Sequence, residues 1–453
     1  MPFIRSISGI RATLGDGLNP SVLSKYISAF VKLQGKGKFI VGRDGRPSGT
    51  WIENLVTASI LSSGGQVELL GVVPTPTVQL LTEHSDAVGG ISITASHNPG
   101  EWNGLKFLGN NGVFLDADQN AKLFSFVDSN DLFFTSSQEF PEYGLNIKAT
   151  STHIDSILNL EIFEAKDVVQ KIKERNLKVV VDAVNASGSK IVPTLLKILG
   201  FEVIELYCNS SGIFPHTPEP IPANLTELQS AVLKHNADLG IAVDPDADRL
   251  VLIDENGEPI GEEKTIVLSA ETVFKNYEYF KGEKNVVVNL STSRMINDLA
   301  HEHSFDVFRS PVGEINVVKK MKEFNSVFGG EGSGGVILPS SHFGRDSLVG
   351  IGLISSLLAI EGKSLSELAG RIPKYEIVKS KREFSGEIHD IIEKVKEIFP
   401  EADVNMEDGL RLDFEKSWVQ VRKSNTEPII RVISEARSLE ESKRLNDQII
   451  SMI

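Results

Sequence analysis

Apolar and polar positions along this chain switch repeatedly between strand and helix periodicity. Between residues 38 and 150, strand-like apolar runs alternate with helical stretches. KFIVG (38–42), GGQVELLGVV (64–73) and VGGISITAS (88–96) read as strands, and the last runs into a polar loop. A second region opens with LKVVVDAV near residue 177. The loop NASGS, a helical KIVPTLLKILG and the strand FEVIEL follow, which is a βαβ pattern. ADLGIAVDPDADRLVLIDENGEPI (237–260) reads as two strands flanking an acidic loop, with a Glu-Asn-Gly turn at 255–257. A third α/β region begins near Glu262 and carries the strands NVVVNLS and FDVFRS. From about Ile377 the chain is more charged. EFSGEIHDIIEKVKEIF is predicted as an amphipathic helix, LRLDF and SWVQVR as strands, and a last helix runs to Ile453. A chain of 453 residues is too long for one core. The expected domains are 1–150, 151–255, 256–371 and 372–453.

Composition narrows the class. The chain is 41% hydrophobic and 24% charged, as for a soluble globular protein. No apolar run reaches the roughly 18 residues of a membrane helix, and MPFIRSISGIRATLG has no signal-peptide apolar core. Cys208 is the only cysteine, so no intrachain disulfide forms and a reducing, cytoplasmic setting is expected. A net charge of -15 argues against nucleic acid or an anionic membrane as partner. It also means that an anionic ligand needs cationic groups gathered locally.

Four loops carry candidate chemistry. ISITASHNPGEWNGLKF (91–107) places Ser96 beside His97, and then Asn98, Asn103 and Lys106, on a loop after a strand. DPDAD puts Asp244, Asp246 and Asp248 at alternate positions, which point the same way in an extended chain. Converging carboxylates repel unless a cation sits between them, and all-oxygen ligands suit Mg²⁺, Mn²⁺ or Ca²⁺. An EF-hand-type calcium loop fails, because its sixth position needs glycine and is Arg249 here, and a strand follows in place of a helix. GGEGSGG (329–335) matches G-x-G-x-x-G, but a strand-like VILP follows where a dinucleotide site needs a helix. Glu331 and Ser333 have hydrogen-bonding groups suited to sugar hydroxyls, and a flexible glycine turn is the plain alternative. RKSNTEPIIR (422–431) gathers Arg422, Lys423, Ser424, Asn425, Thr426 and Arg431 around a turn, either as an anion nest or as a surface turn.

TASHNP, DPDADR, GGEGSGG and SNTEP, in that order, resemble the loops of the α-D-phosphohexomutase family over nearly the whole chain. SISGIR (6–11) and VGRDGRPSG (41–49) are similar to further family signatures. The resemblance implies an α/β fold with four domains around a central cleft, three of them related α/β units and the last a smaller α+β domain. It implies interconversion of hexose 6-phosphate and hexose 1-phosphate through a phosphoserine and a 1,6-bisphosphate. Ser96 would carry the phosphoryl group and, with Asp244, Asp246 and Asp248, hold Mg²⁺. Glu331 and Ser333 would read the sugar. Arg422, Ser424, Asn425 and Thr426, with Arg431 nearby, would grip the phosphate that is not reacting. Arg11 and Lys106 would lie near the transferring group. Arg249 would help hold the phosphoserine, or only pair with Asp244 or Asp248. Glu314, in SPVGE, would be a general base or a sugar contact, and His97 a proton-transfer group, a loop-orienting group or a structural histidine. The partner is a small hexose phosphate, with a hexose 1,6-bisphosphate as activator. Gly332 and Gly335 stand where many members carry a bulkier polar residue and a histidine. That substitution predicts free room in the sugar loop, open to a 2-amino sugar or to several hexoses, and the resemblance to the family branch with HNP…WN…LK and a GEG-G loop favours phosphoglucosamine mutase activity. Phosphomannomutase or phosphoglucomutase activity is the alternative. A metal-dependent phosphatase and a non-catalytic sugar-phosphate sensor are the alternatives of another class.

Overall fold

The same four-strand order is built three times. In the computed structural model, which describes residues 3–136, 141–384, 388–423 and 429–452, the strands Lys38–Arg43, Gln66–Val72 and Gly89–Ile93 are parallel. Trp102–Gly109 returns antiparallel beside the third, so the order across the sheet is fourth, third, first, second. Lys178–Asp182, Glu202–Tyr207, Leu239–Val243 and Leu250–Asp254 repeat that order and those directions. Glu283–Asn289, Asp306–Ser310, Ser326–Glu331 and Gly335–Ile337 repeat it again. The first sheet grows to seven strands by adding Gly9–Thr13 and Ile4–Ser6 at one edge and Tyr143–Leu145 at the other. The repetition is therefore one of topology, which periodicity suggested without resolving.

This order positions chemistry. The turn from third to fourth strand sits at the carboxyl end of the parallel strands, where α/β sheets bind ligands. Residues 94–101, 244–249 and 332–334 are the three such turns. Three of the loops singled out by sequence thus occupy equivalent places in three copies of one unit.

The fourth unit differs. Its five strands are all antiparallel, in the order Glu376–Glu383, Ile429–Ala436, Trp418–Lys423, Leu410–Asp413, Asp403–Asn405. The helices Ile388–Ile398 and Leu439–Ile450 share a separate core with this sheet through Ile391, Val395, Leu445 and Ile449. Glu383, where the amphipathic pattern begins, ends the strand Glu376–Glu383, and residues 385–387 and Ile453 lie outside the described residues.

The second and third units share one continuous core. Its centre is the helix Ser347–Glu361, SLVGIGLISSLLAIE, buried on nearly every side. A helix that is apolar all round belongs in an interior, and this one packs against the helix Glu262–Lys275. Among the described residues no helix is long and apolar enough to cross a membrane.

Candidate active site

Ser96 sits at the tip of its turn with φ +51°, a left-handed conformation that is uncommon for a residue with a side chain. Buried groups hold it there. Its N–H donates to Thr94 Oγ1 (2.8 Å), and the Thr94 hydroxyl donates to Asp44 Oδ2 (2.7 Å). The fully buried Arg46 donates to the carbonyls of Ser96, Asn98 (2.8 Å), Pro99 (2.6 Å) and Trp102 (3.1 Å), and its Nε pairs with Asp44 (2.8 Å). The segment VGRDGRPSG thus clamps the serine loop by its backbone, a role that its residue types did not disclose.

The acidic loop is not extended. Residues 245–247 form a tight turn, with Ala247 at φ +50° and its N–H donating to the Asp244 carbonyl (2.9 Å). The carboxylates converge because the backbone folds over, not because alternate side chains share a strand face. The three are fully buried, and an oxygen from each lies within 4.8 Å of the others. Asp244 Oδ1 accepts from the N–H groups of Asp248 (3.1 Å) and Arg249 (3.2 Å), and Asp244 Oδ2 accepts from Ser96 Oγ at 3.1 Å. Asp246 Oδ2 accepts from Thr75 Oγ1 (2.7 Å) and Lys106 Nζ (2.6 Å). Asp248 Oδ2 accepts from Lys106 Nζ (3.1 Å) and Arg345 Nη2 (2.7 Å).

Electrostatics match this crowding. Burial, then the charges of Asp248 and Asp246, raise the Asp244 carboxyl well above its ordinary range. Burial pushes Asp248 the same way, but Arg345, Lys106 and Arg249 outweigh it and hold its pKa low. Lys106 is raised despite its burial, because Asp246 and Asp248 favour its charge. Burial, then the cations Arg249 and Arg11, press His97 down to about 2, so its ring is neutral at pH 7. His97 Nδ1 lies 3.3 Å from Ser96 Oγ. Arg11 Nη1 donates to Asn98 Oδ1 (3.1 Å), and Arg249 Nε lies 3.8 Å from Asp248 Oδ1. Asp246 Oδ1 and Asp248 Oδ1 are buried without a hydrogen-bond partner. A hard divalent cation suits such a donor set, since oxygen ligands left unpaired in a buried triplet are what it needs.

The glycine loop at 329–335 holds a correction. A Cβ on Gly332 would stand 2.2 Å from both carboxylate oxygens of Glu263, and one on Gly335 would stand 2.4 Å from Arg345 Cδ. The space predicted to be free is filled by side chains from elsewhere in the chain. Glu263, on the helix Glu262–Lys275, accepts from the Ser293 N–H (2.9 Å), and burial pushes its pKa to about 8. Glu331 is buried. Its Oε1 accepts from Asn289 Nδ2 (2.8 Å) and the Gly313 N–H (3.1 Å), and its Oε2 accepts from Arg345 Nη1 (2.7 Å). Ser333 is half-buried. Glu314 opens a helix with both oxygens engaged, by Gln79 Nε2 (2.7 Å) and Arg345 Nε (3.0 Å), and burial raises its pKa.

Arg422 and Arg431 stand directly opposite each other on neighbouring strands. Burial lowers the Arg422 pKa; Arg431 also lowers it, while Asp408 and Glu331 favour its charge. Ser424, Asn425 and Thr426 lie outside the described residues.

Four domain profiles match the chain in order. They are phosphoglucomutase/phosphomannomutase alpha/beta/alpha domain I at residues 4–133, domain II at 151–257, domain III at 262–375, and the C-terminal domain at 378–452. A "Phosphoglucomutase/phosphomannomutase" of Thermococcus kodakarensis is 36% identical over 444 residues, covering 96% of this chain and 95% of its own. The chain belongs to the phosphoglucomutase/phosphomannomutase family. A second relative of this phosphohexomutase, from Methanopyrus kandleri and named "Probable phosphoglucosamine mutase", is 34% identical over 452 residues, with coverage of 98% and 96%. Among solved structures, a phosphoglucomutase/phosphomannomutase family protein of Burkholderia thailandensis superposes with a TM-score of 0.85 at 26% identity, covering 97% of this chain and 94% of its own. The phosphohexomutase fold and the Ser96–aspartate geometry therefore stand together.

Proposed function

We propose that this phosphohexomutase moves a phosphoryl group between O6 and O1 of a hexose, with Ser96 as lender and acceptor. The observation that carries the reading is Ser96 Oγ at 3.1 Å from Asp244, inside the buried carboxylate triplet. Asp244, Asp246 and Asp248, with phosphorylated Ser96, would hold Mg²⁺. When bound, the ion supplies charge neutralisation for the transferring oxygens.

The chain's own groups do the rest. In the first half-reaction the Ser96 Oγ–P bond breaks as a sugar hydroxyl oxygen forms its bond to phosphorus. The hydroxyl proton leaves to a base and Ser96 Oγ regains a proton. The second half-reaction reverses these roles at the other end of the bisphosphate. Lys106 and Arg11 bring positive charge to the moving group. Arg249 flanks it, since its Nε has no hydrogen-bond partner among the described residues. His97, neutral, orients the serine oxygen or relays its proton. Glu331 and Ser333 read ring hydroxyls. Arg422 and Arg431, two like charges set side by side on a sheet, favour an anion between them. With Ser424, Asn425 and Thr426 they form the grip for the idle phosphate. A 1,6-bisphosphate serves as activator.

For the sugar we assign a glucosamine phosphate. The name of the Methanopyrus relative supports it; free room in the loop at 329–335 does not. The Thermococcus relative favours glucose and mannose phosphates as the second reading. Assays of glucosamine, N-acetylglucosamine, glucose and mannose 6-phosphates with Mg²⁺ and a 1,6-bisphosphate test both readings. A clear preference for glucosamine supports the assignment, and equal rates on all four overturn it. Free phosphate released without isomer would make the protein a phosphatase. Binding without turnover or Ser96 phosphorylation would make it a sensor.

A further inference from the structure

HFGRDSLVG (342–350) contributes one group that the reaction above does not use. Arg345 is buried, and each of its three guanidinium nitrogens meets a carboxylate from a different segment. Nη2 donates to Asp248 of the acidic loop (2.7 Å), Nη1 to Glu331 of the sugar loop (2.7 Å), and Nε to Glu314 at the start of a helix (3.0 Å). Its stem fills the place where a side chain at Gly335 would stand. The following residue is fixed as well. Asp346 caps the helix Ser347–Glu361 through the Leu348 N–H (2.8 Å), and its other oxygen takes His153 (2.7 Å) and His342 (3.1 Å). The guanidinium is therefore delivered from a rigid base to a fixed point between two loops that belong to different units.

We infer that Arg345 is a positioning residue with two separable duties: its planar fork fixes Glu331 for the sugar, and its charge on Asp248 weakens the affinity of the acidic triplet for a divalent cation. This rests on the reading that the triplet takes the metal and the 331–333 loop takes the sugar.

The two duties carry opposite signs. A cation 2.7 Å from Asp248 competes with a metal for the same negative field, so removing it makes the triplet more attractive to a divalent ion. Removing it also frees one oxygen of a buried carboxylate that must hold still to read a hydroxyl, and a charge-assisted hydrogen bond of this kind is stronger than a neutral one. Lysine keeps the charge but not the fork, because an ammonium is a point donor. Charge and fork are thus tested by different substitutions.

The experiment measures Mn²⁺ affinity of the full chain without sugar, by electron paramagnetic resonance or calorimetry. It also measures kcat and KM with glucosamine 6-phosphate and glucose 6-phosphate. Arg345→Gln is expected to bind Mn²⁺ at least roughly threefold more tightly and to raise KM about tenfold. Arg345→Lys is expected to keep Mn²⁺ affinity near that of the parent while still raising KM. Gly335→Ala, which pushes the Arg345 stem without removing its charge, is expected to follow the lysine variant. A merely structural arginine would weaken both affinities together. Mn²⁺ affinity that falls or stays unchanged in Arg345→Gln overturns the inference, as does an Arg345→Lys variant with normal KM. If the parent protein itself takes no Mn²⁺, the metal reading of the triplet fails first, and that result is visible before any variant is made.

Discussion

The acidic loop and the glycine loop proposed to read the sugar occupy the same turn in two copies of one unit, yet they are built by opposite means. Residues 244–248 carry their chemistry in their own side chains, and a tight turn brings three carboxylates together. Residues 332–335 carry almost none. Gly332 and Gly335 leave room that Glu263 fills from a helix distant in sequence and Arg345 from the loop that follows the next strand. The first loop concentrates charge that must be neutralised from outside. The second imports charge and needs only backbone that permits close approach. A repeated topology therefore fixes where chemistry is done and leaves open which segment supplies it.

The most severe break in this comparison is expected in the loop that keeps its chemistry local. Asp244→Asn removes the carboxylate that touches Ser96 and one of the three carboxylates proposed to hold the metal. Loss of one electrostatic stabiliser at a reacting centre typically costs about 10²–10³ in kcat. Steady-state turnover should fall by that order and Mn²⁺ affinity should fall with it. A fall in turnover with unchanged Mn²⁺ affinity would remove Asp244 from the metal set.

That asymmetry also explains what could be read from the chain. Ser96, the three aspartates and Lys106 lie in short, contiguous motifs, and the structure brings them together as chemistry demands. The alternating strands and helices of the α/β regions were legible in their periods, and the charged tail in its composition, but the buried helix Ser347–Glu361 was not, since an all-apolar segment has no face to reveal. Arg345 and Glu263 were illegible because their meaning is a distance to Gly335 and Gly332. Arg46 was quoted within a motif, but its work is on backbone carbonyls, which no side-chain pattern displays. The extended form assumed for DPDAD failed because alternation along a strand and closure of a turn can both gather positions 244, 246 and 248.

Glu263 sharpens the comparison through pH. Its carboxyl is pushed by burial to about 8, with Lys379 opposing that push and Glu262 and Glu435 adding to it. The folded state therefore holds a proton that the unfolded chain loses near pH 4.5. Stability from this group is present below that pH and is lost as pH rises towards about 8. The slope is about 1.4 kcal/mol per pH unit inside the window. Thermal melts from pH 5 to 8 should show the parent losing stability relative to Glu263→Gln. Parallel curves would mean that the carboxyl is already ionised.

A smaller effect tests the filled space directly. Gly332→Ala places a methyl 2.2 Å from the Glu263 carboxylate, so loop or helix must shift. Overpacking of this kind costs about 1–3 kcal/mol. KM should rise with the loss of stability, and Glu263→Ala in the same chain should restore part of both. Failure of that rescue would place the strain elsewhere.

The smallest effect is expected at the tip of the acidic loop. Ala247 holds φ +50°, a conformation that costs a non-glycine residue about 1–2 kcal/mol. Glycine would relieve that cost, but it also enlarges the unfolded ensemble and gives back about 0.4–1 kcal/mol. The two nearly cancel, so Ala247→Gly should change stability by less than about 1 kcal/mol. Its metal affinity is the sharper readout. Ser347 Oγ donates to the Ala247 carbonyl (2.7 Å) and the Ala247 N–H holds the turn closed, so the carboxylates should remain gathered and Mn²⁺ affinity should be kept. Were it to drop tenfold, the turn would owe its closure to the alanine side chain and not to the hydrogen bonds that bracket it. The acidic loop would then depend on packing from its surroundings as much as the glycine loop does.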